Sequence, residues 1–174
     1  LASAKVQGNI VDTLMPPLSA AELVTGYIGG AIARGALVAV VIALGSWLFL
    51  GVGLVNPFWV ITFVLLGSVL MGGLGMIAGI FANKFDQLSA ISNFLVTPLA
   101  FLSGTFYSID ALPSWLQTLS HANPFFYIID GVRVGMIGVS DSSPWTGLVV
   151  VGIACAIVLG ICWRWMKTGY RLKA

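Results

Sequence analysis

The chain has 174 residues, of which 59% are hydrophobic and only 8% are charged. An ordinary soluble domain carries about 25% charged residues, so this chain cannot cover a water-facing surface with charge. High hydrophobicity excludes intrinsic disorder, and a net charge of +2 argues against a nucleic-acid partner. The composition therefore predicts a polytopic membrane protein that forms a single domain over residues 1–174.

Long uncharged stretches divide the chain into membrane spans. Between Arg34 and Lys84 lie 49 uncharged residues. Because a crossing helix needs about 20 apolar residues, this stretch holds two spans with a turn at Asn56-Pro57. Residues 87–109 and 142–163 are also uncharged, and each is long enough for one further span. The sequence thus predicts an all-α polytopic transmembrane helix bundle with four spans.

The distribution of cations predicts the orientation of these spans. Four spans place both ends of the chain on one side, with seven of the eight Lys and Arg residues; only Arg133 lies opposite. The positive-inside rule makes that side cytoplasmic. Pro113 and Pro124 break the uncharged stretch 111–129, and a fifth crossing there would put the cationic tail outside. We therefore predict cytoplasmic termini and a re-entrant outer segment, 106–138, built from two short helices.

The N-terminal part contains a helix start and a short segment before it. Ser19 and Glu22 form a capping box, which predicts a helix from about Ala20 that continues into the first span. The piece from Asn9 to Leu14 fits either a plain loop or one or two helical turns that end at the following prolines. The side chain of Arg34 either reaches with its charged end to the membrane interface or faces a cavity.

Small residues mark the second and third spans. Ser68 with Gly72 and Gly75 with Gly79 are spaced for close helix packing in the second span. The third span carries a small and polar face, which either packs on another helix or lines a substrate path: Ser89, Ser92, Asn93, Thr97, Ala100, Ser103 and Gly104. We expect Pro98 to kink this helix and to free a carbonyl near its middle.

The outer segment contains a second helix start. Asn123 is a good N-cap with Pro124 at the first helical position, and Asp130 can pair with Arg133 three residues later. His121 has no partner residues at metal-ligand spacing, so we interpret it as an interfacial residue. The cysteines 155 and 162 in the last span are interpreted as small packing residues, too far apart for a disulfide.

Two runs of residues resemble a known family. From Asn93 to Gly138 the chain reads NFLVTPLAFLSGTFYSIDALPSWLQTLSHANPFFYIIDGVRVGMIG. This run is similar to the signature region of the ABC-2 type permeases, the membrane subunits of bacterial ABC exporters. From Gly8 to Gly35 the chain reads GNIVDTLMPPLSAAELVTGYIGGAIARG, which also resembles that family. Family members usually have six spans, so the resemblance implies that the first two spans are absent from this four-span portion.

The resemblance also implies roles for individual residues. The cytoplasmic segment 8–19 corresponds to the helix that couples the permease to its ATPase, with the coupling residues Gly8, Asn9, Ile10, Val11, Asp12, Thr13 and Leu14. The third span supplies a substrate path or dimer face through Ser89, Ser92, Asn93, Thr97 and Ser103. The segment 106–138 supplies an outer gate through Phe106, Tyr107, Asn123, Pro124, Asp130 and Arg133.

The function implied is that of a permease subunit of an ATP-driven exporter, which moves a lipid, drug or polysaccharide-type substrate outward across the cell inner membrane. The resemblance implies that ATP and magnesium belong to a partner ABC ATPase. Independently of the family, this chain has no phosphate-binding loop, cofactor motif or metal-ligand cluster. We expect no enzyme activity of its own, since no catalytic arrangement occurs. The expected partners are the ATPase, a second identical or paired permease chain and membrane lipid. The alternative is a membrane-embedded scaffold or assembly subunit without a transport path.

Overall fold

The computed structural model describes residues 19–82, 84–103 and 113–169, and all the regular structure in these ranges is helical. The helices are α1 (Ala20–Leu50), α2 (Pro57–Phe81), α3 (Phe85–Ile91), a π-helical turn (Ser92–Val96), α4 (Thr97–Phe101), α5 (Ser114–Ala122), α6 (Pro124–Ile137) and α7 (Pro144–Thr168). The all-α fold class is confirmed.

Three helices are long and apolar enough to cross a membrane, namely α1, α2 and α7. They confirm the polytopic membrane class. In the third predicted span the described helix runs from residue 85 to 101. These 17 positions extend about 25 Å, which is shorter than the ~30 Å hydrocarbon core. The third predicted span therefore stays a prediction as a full crossing, since residues 104–112 lie outside the described part of the chain.

The predicted helix starts agree with the structure. The Ser19 backbone N–H donates to the Glu22 carboxylate at 2.7 Å, and the Ser19 hydroxyl accepts from the Glu22 backbone N–H at 3.3 Å. The capping box is thus confirmed, and α1 begins at the next residue. The turn at Asn56-Pro57 is confirmed as well, because α2 has Asn56 at its N-cap position and begins at Pro57.

Small residues let α1 approach α2 closely. A Cβ on Gly72 would lie 2.7 Å from the Cβ of Ala31, and a Cβ on Gly35 would lie 3.0 Å from the Cβ of Ser68. The prediction that Ser68 and Gly72 serve close packing is therefore confirmed. Among the described residues, a Cβ on Gly75 would meet nothing within 4 Å, so Gly75 does not make a second contact of that kind there.

The last span packs on α2 through its cysteines. The Cys155 thiol donates to the carbonyl of Leu66 at 3.4 Å, and the Cys162 thiol donates to the carbonyl of Gly73 at 3.4 Å. Both side chains are buried and free. Their predicted packing role is confirmed, and α2 lies at the centre of the bundle because α1, α6 and α7 all pack on it.

Helix α6 runs antiparallel along the first half of α2. Ile128 lies against Gly67, Gly131 against Phe63 and Gly135 against Val60. The 14 residues of α6 cover about 21 Å of the 25-residue α2, whose full length is about 37 Å. Helix α6 therefore begins near the middle of α2 and ends beside the N-terminal end of α2. This end of the bundle is called here the Asn56 end, and the opposite end is called the Phe81 end. Helix α5 packs against α6, and the predicted re-entrant character of the segment 106–138 stays a prediction.

Pro98 is accommodated by the π-helical turn that precedes it. A π-helical turn inserts one extra residue, so the residues that follow are rotated by about 100° relative to a continuous α-helix. The predicted disturbance at this proline is thus seen as a change of helix type over Ser92–Val96. The small and polar face, which assumed constant α-helical periodicity, does not continue straight through this turn.

Aromatic side chains mark two levels of the bundle about 30 Å apart. On α7, Trp145 and Trp165 are 20 positions apart, and on α1, Tyr27 and Trp47 have the same separation. At 1.5 Å per residue both pairs span about 30 Å, the thickness of the hydrocarbon core, and aromatic side chains are enriched at its two interfaces. Arg34 follows Tyr27 by seven positions in α1, so it lies between the two aromatic levels, and it is exposed.

Candidate functional site

The predicted coupling residues lie outside the described residues. What the structure describes is the point where their segment joins the bundle, because Ser19 is the N-cap of α1. Leu14 precedes this cap by five positions. The predicted coupling segment therefore leads directly into the first long helix, although its own residues stay a prediction.

The third predicted span carries the proposed path or dimer face and is joined to the bundle near its two ends. Within the described residues, α3 contacts α2 and α4 contacts α6. Ser89, Asn93 and Thr97 are exposed on this span. The backbone of Ser92 lies in the π-helical turn, and nothing is described of its side chain. Exposed polar groups along a membrane-embedded helix need protein or water beside them.

Ser103 is separated from the other residues of that face. It is fully buried, and its hydroxyl donates to the carbonyl of Ala100. The π-helical turn explains this placement, because it rotates the end of the span relative to Ser89 and Asn93. In the structure Ser89, Asn93 and Thr97 are each exposed, whereas Ser103 lies inside, beside the end of α4.

Asn123 joins two helices at the inner tip of the α5–α6 hairpin. Its side-chain oxygen accepts from the backbone N–H of Phe125 at 3.0 Å, and its side-chain nitrogen donates to the carbonyl of Leu99 at 2.7 Å. Pro124 occupies the first position of α6, as predicted. The N-cap prediction is confirmed, whereas the bond to Leu99 is a contact that sequence reasoning missed.

A second buried hydroxyl lies in the same hairpin. Ser120 is fully buried, and its hydroxyl oxygen has no hydrogen-bond partner among the described residues. Its backbone carbonyl accepts from the N–H of Asn123 at 3.0 Å. His121, the next residue, is exposed and stacks edge-on against Phe126 at 5.3 Å between ring centroids. The inner tip of the hairpin thus contains a buried polar group, and an aromatic ring pair lies beside it.

Asp130 holds the loop between α6 and α7. Its carboxylate accepts from the backbone N–H groups of Asp141 at 2.9 Å and Ser142 at 3.0 Å, and from the hydroxyl of Ser140 at 2.9 Å. Arg133 lies 3.6 Å from the same carboxylate, which confirms the predicted i,i+3 pair. Asp130 is only 2% exposed, so these donors replace the water that the charge has lost.

Arg133 makes its shorter contact with a different partner. Its guanidinium donates to the Asp141 carboxylate at 2.7 Å, and both side chains are partly exposed. The three charges form a network at the Asn56 end of the bundle. Of the predicted gate residues, the structure therefore brings Asp130 and Arg133 together, places Asn123 and Pro124 at the other end of α6, and leaves Phe106 and Tyr107 outside the described residues.

Two features of this region had no signal in the sequence. The partners of Asn123 and Asp130 are backbone groups of Leu99 and of the loop at 141–142, and backbone groups carry no residue-type signature.

The charges of this region do not form a group of metal ligands among the described residues, which contain no group of three or more His, Cys, Asp or Glu that could hold an ion. The region is suited to positioning helices.

Comparison with known proteins identifies the family. A model of the ABC-2 type transporter family matches residues 1–137. The chain belongs to this family. The inner membrane transport permease YadH of Escherichia coli K12 is 34% identical over 171 residues, which are 98% of this chain and 67% of that protein. A permease of the same name from Shigella flexneri matches to the same extent. Nodulation protein J of Neorhizobium galegae is 28% identical over 80 residues, 46% of this chain and 30% of that protein.

Family membership gives the helix bundle its general role. As an ABC-2 type protein, the chain is a membrane permease component of an ABC transporter, a transport component and not an enzyme. The family works with an ABC ATPase. The short helix α6, the exposed polar residues of the third predicted span and the joint at Asn123 are the structural features from which a transport mechanism can be argued.

Proposed function

We propose that this chain is the permease subunit of an ATP-driven exporter, which moves a lipid, drug or polysaccharide-type substrate outward across the inner membrane. The observation that carries the proposal is the exposure of three polar residues, Ser89, Asn93 and Thr97, on a span that the described bundle contacts mainly near its ends. A substrate with apolar and hydroxyl-bearing parts suits such a surface. A second copy of the chain, or a paired permease chain, would close it from the other side.

The proposed orientation places the Asn56 end in the periplasm and the Phe81 end in the cytoplasm. Its support is the charge distribution, since Arg164 and Lys167 lie at the end of α7 and Arg34 lies in the N-terminal half of α1. In this orientation α6 and its loop enter from the periplasm. The residues Asn123, Pro124, Asp130 and Arg133, with Phe106 and Tyr107, then belong to an outer gate.

We predict that a cysteine at Val139 reacts with a membrane-impermeant maleimide in intact cells, whereas a cysteine at Thr168 reacts only after the inner membrane is opened. Val139 is 58% exposed in the loop at the Asn56 end, and Thr168 is exposed at the end of α7. Ser120 would be a poor probe because its side chain is fully buried. The measurement is labelling of each variant before and after permeabilisation.

The parent chain is the control for labelling, since both native cysteines are buried in α7. Equal reaction of the Val139 and Thr168 variants from the periplasm would place the two ends of α7 on one side. That result would be incompatible with α7 as a crossing helix and with the proposed orientation.

We propose that the segment Gly8–Leu14 docks on the partner ATPase, which supplies ATP, magnesium and hydrolysis. Simultaneous substitution of Ile10, Val11 and Leu14 by alanine should remove most of the ATPase that co-purifies with the tagged permease. The reason is that these side chains are the apolar contacts available in this segment. The measurement is the ratio of ATPase to permease after affinity purification from membranes.

The matched control is triple alanine substitution at Leu54, Val55 and Val139, three exposed apolar residues in loops at the Asn56 end. This control should retain the bound ATPase, because it changes the same kind of side chain at the opposite end of the bundle. Retention of the ATPase by the Ile10, Val11 and Leu14 variant would show that the coupling assignment is wrong.

The alternative function is a membrane-embedded scaffold without a path of its own. A growth-sensitivity panel distinguishes the two, using cells that carry the intact transporter with either an active or a hydrolysis-deficient ATPase. An exporter requires ATP hydrolysis to give the cell resistance to its substrate. The compounds to which cells with the hydrolysis-deficient ATPase are more sensitive then indicate the substrate class. A scaffold would protect equally well with the inactive ATPase.

A further inference from the structure

The side chain of Asn123 joins the third predicted span to the hairpin of α5 and α6. We infer that Asn123 is a positioning residue that makes α4 and the α5–α6 hairpin move as one unit. The inference rests on the proposed function only where it concerns motion during transport. The joint itself is a matter of hydrogen bonds that can be tested without any transport assay.

The first half of the joint is the N-cap of α6. The four first backbone N–H groups of a helix have no partner inside the helix. Pro124 has no N–H, so the first donor that needs a partner is that of Phe125, and it donates to the Asn123 side-chain oxygen at 3.0 Å. At this depth in the bundle water is excluded, since Asn123 is only 3% exposed.

The second half of the joint is the C-terminal end of α4. In a continued α-helix the carbonyl of Leu99 would accept from the N–H of Ser103. That N–H donates to Ala100 instead, at 3.3 Å, because the helix tightens in its last turn. The Leu99 carbonyl accepts from the Asn123 side-chain nitrogen at 2.7 Å. The same amide therefore caps the end of α4 and the start of α6.

The orientation of the amide is fixed by its two partners. The N–H of Phe125 can only donate and the carbonyl of Leu99 can only accept, so a flipped amide would oppose two donors and two acceptors. Within the described residues, α6 is the only helix outside the third predicted span that α4 contacts. The bond from Asn123 to Leu99 is thus well placed to decide whether these helices stay together.

The chain offers a matched control at Asn56. Asn56 also precedes a proline at the first position of a helix, but its side chain makes no capping hydrogen bond and the residue is exposed. Serine at position 123 can still cap α6 because its hydroxyl accepts from the helix N–H groups. Serine is too short to reach the Leu99 carbonyl as the longer amide does. Asn123→Ser therefore removes only the bond between the helices.

The first experiment measures the distance between spin labels at Ala100 on α4 and Leu119 on α5, which are both exposed. Cys155 and Cys162 are replaced by serine, whose hydroxyl can still donate to the two carbonyls of α2. We expect one narrow distance distribution for the parent and for Asn56→Ser, and loss of that narrow peak for Asn123→Ser. An unchanged peak in Asn123→Ser overturns the inference.

The second experiment measures maleimide reaction rates of single cysteines at the same two positions in the complex with the ATPase, without nucleotide and trapped with ATP and vanadate. In the parent we expect both rates to change together. In Asn123→Ser we expect the Ala100 rate to change and the Leu119 rate to stay constant. If the Leu119 rate in Asn123→Ser still changes together with the Ala100 rate, joint motion through Asn123 is contradicted. If neither rate changes in the parent, the proposed nucleotide-driven function fails, while the distance measurement still decides the joint.

Discussion

Replacement of Asp130 by alanine is expected to reduce the stability of the Asn56 end of the bundle by about 3 to 5 kcal/mol, the range found when one partner of a buried charge network is removed. The carboxylate accepts from two backbone N–H groups and one hydroxyl and lies 3.6 Å from Arg133. Alanine leaves these donors without the buried carboxylate that is their partner. The measurement is the melting temperature of the purified permease in one fixed detergent.

The matched control for Asp130 is Asp141→Asn. Its carboxylate makes the shorter contact with Arg133, at 2.7 Å, but its side chain is 20% exposed against 3% for Asp130. An ion pair near the surface contributes about 0 to 1 kcal/mol, so this variant should melt close to the parent. The melting temperature of Asp130→Asn should lie between those of Asp130→Ala and Asp141→Asn, because an amide oxygen can still accept hydrogen bonds. A larger loss for Asp141→Asn than for Asp130→Ala would mean that burial does not govern this network.

Replacement of Gly135 by alanine is expected to separate α6 from the start of α2 and to cost about 1 to 3 kcal/mol, as for other overpacked contacts. The new Cβ would lie 2.8 Å from the backbone nitrogen of Val60 and 2.9 Å from the carbonyl oxygen of Asn56. Backbone atoms cannot rotate away as side-chain ends do. The change would also strain the hydrogen bond from the Asn56 N–H to the Gly135 carbonyl, which measures 2.8 Å.

The control for Gly135 is Gly152→Ala in α7, where a Cβ would meet nothing within 4 Å. Alanine is the better helix former by up to about 1 kcal/mol, so this variant should melt at or slightly above the parent temperature. The measurement is again thermal melting in detergent, with labelling of a cysteine at Val139 as a local probe of the α6–α7 loop. Equal melting of the Gly135 and Gly152 variants would show that α6 does not depend on close approach to α2.

Local sequence signals predicted the ends of helices well. Ser19 with Glu22 and Asn123 with Pro124 form the caps that their spacing indicates, and Asp130 lies near Arg133 as its position predicts. Such signals are reliable because both partners lie within one helical turn. The prediction for the third span was less complete, since Pro98 produces a π-helical turn and the polar face assumed regular α-helical spacing.

Contacts between distant residues needed the tertiary structure. Asn123 and Leu99 are 24 positions apart, and the Asp130 carboxylate binds backbone groups 11 and 12 positions away. A backbone N–H or carbonyl belongs to every residue type, so no pattern of letters predicts which one a side chain will meet. The exposure of Gly75 and the burial of Ser103 also depend on which helices meet, and not on local composition.

The amino-acid sequence predicts an all-α polytopic membrane protein and the starts of α1, α2 and α6. Hydrophobic length and capping residues suffice for this, because the bilayer and the helix impose the same rules on every chain. The ABC-2 type and the candidate coupling and gating segments come instead from resemblance to a known family. The tertiary structure was needed to show that α2 is the central helix, that α6 covers only half of it, and that the Asn123 amide joins α4 to α6. Packing selects these partners through close approach at Gly131 and Gly135, a property of two surfaces together.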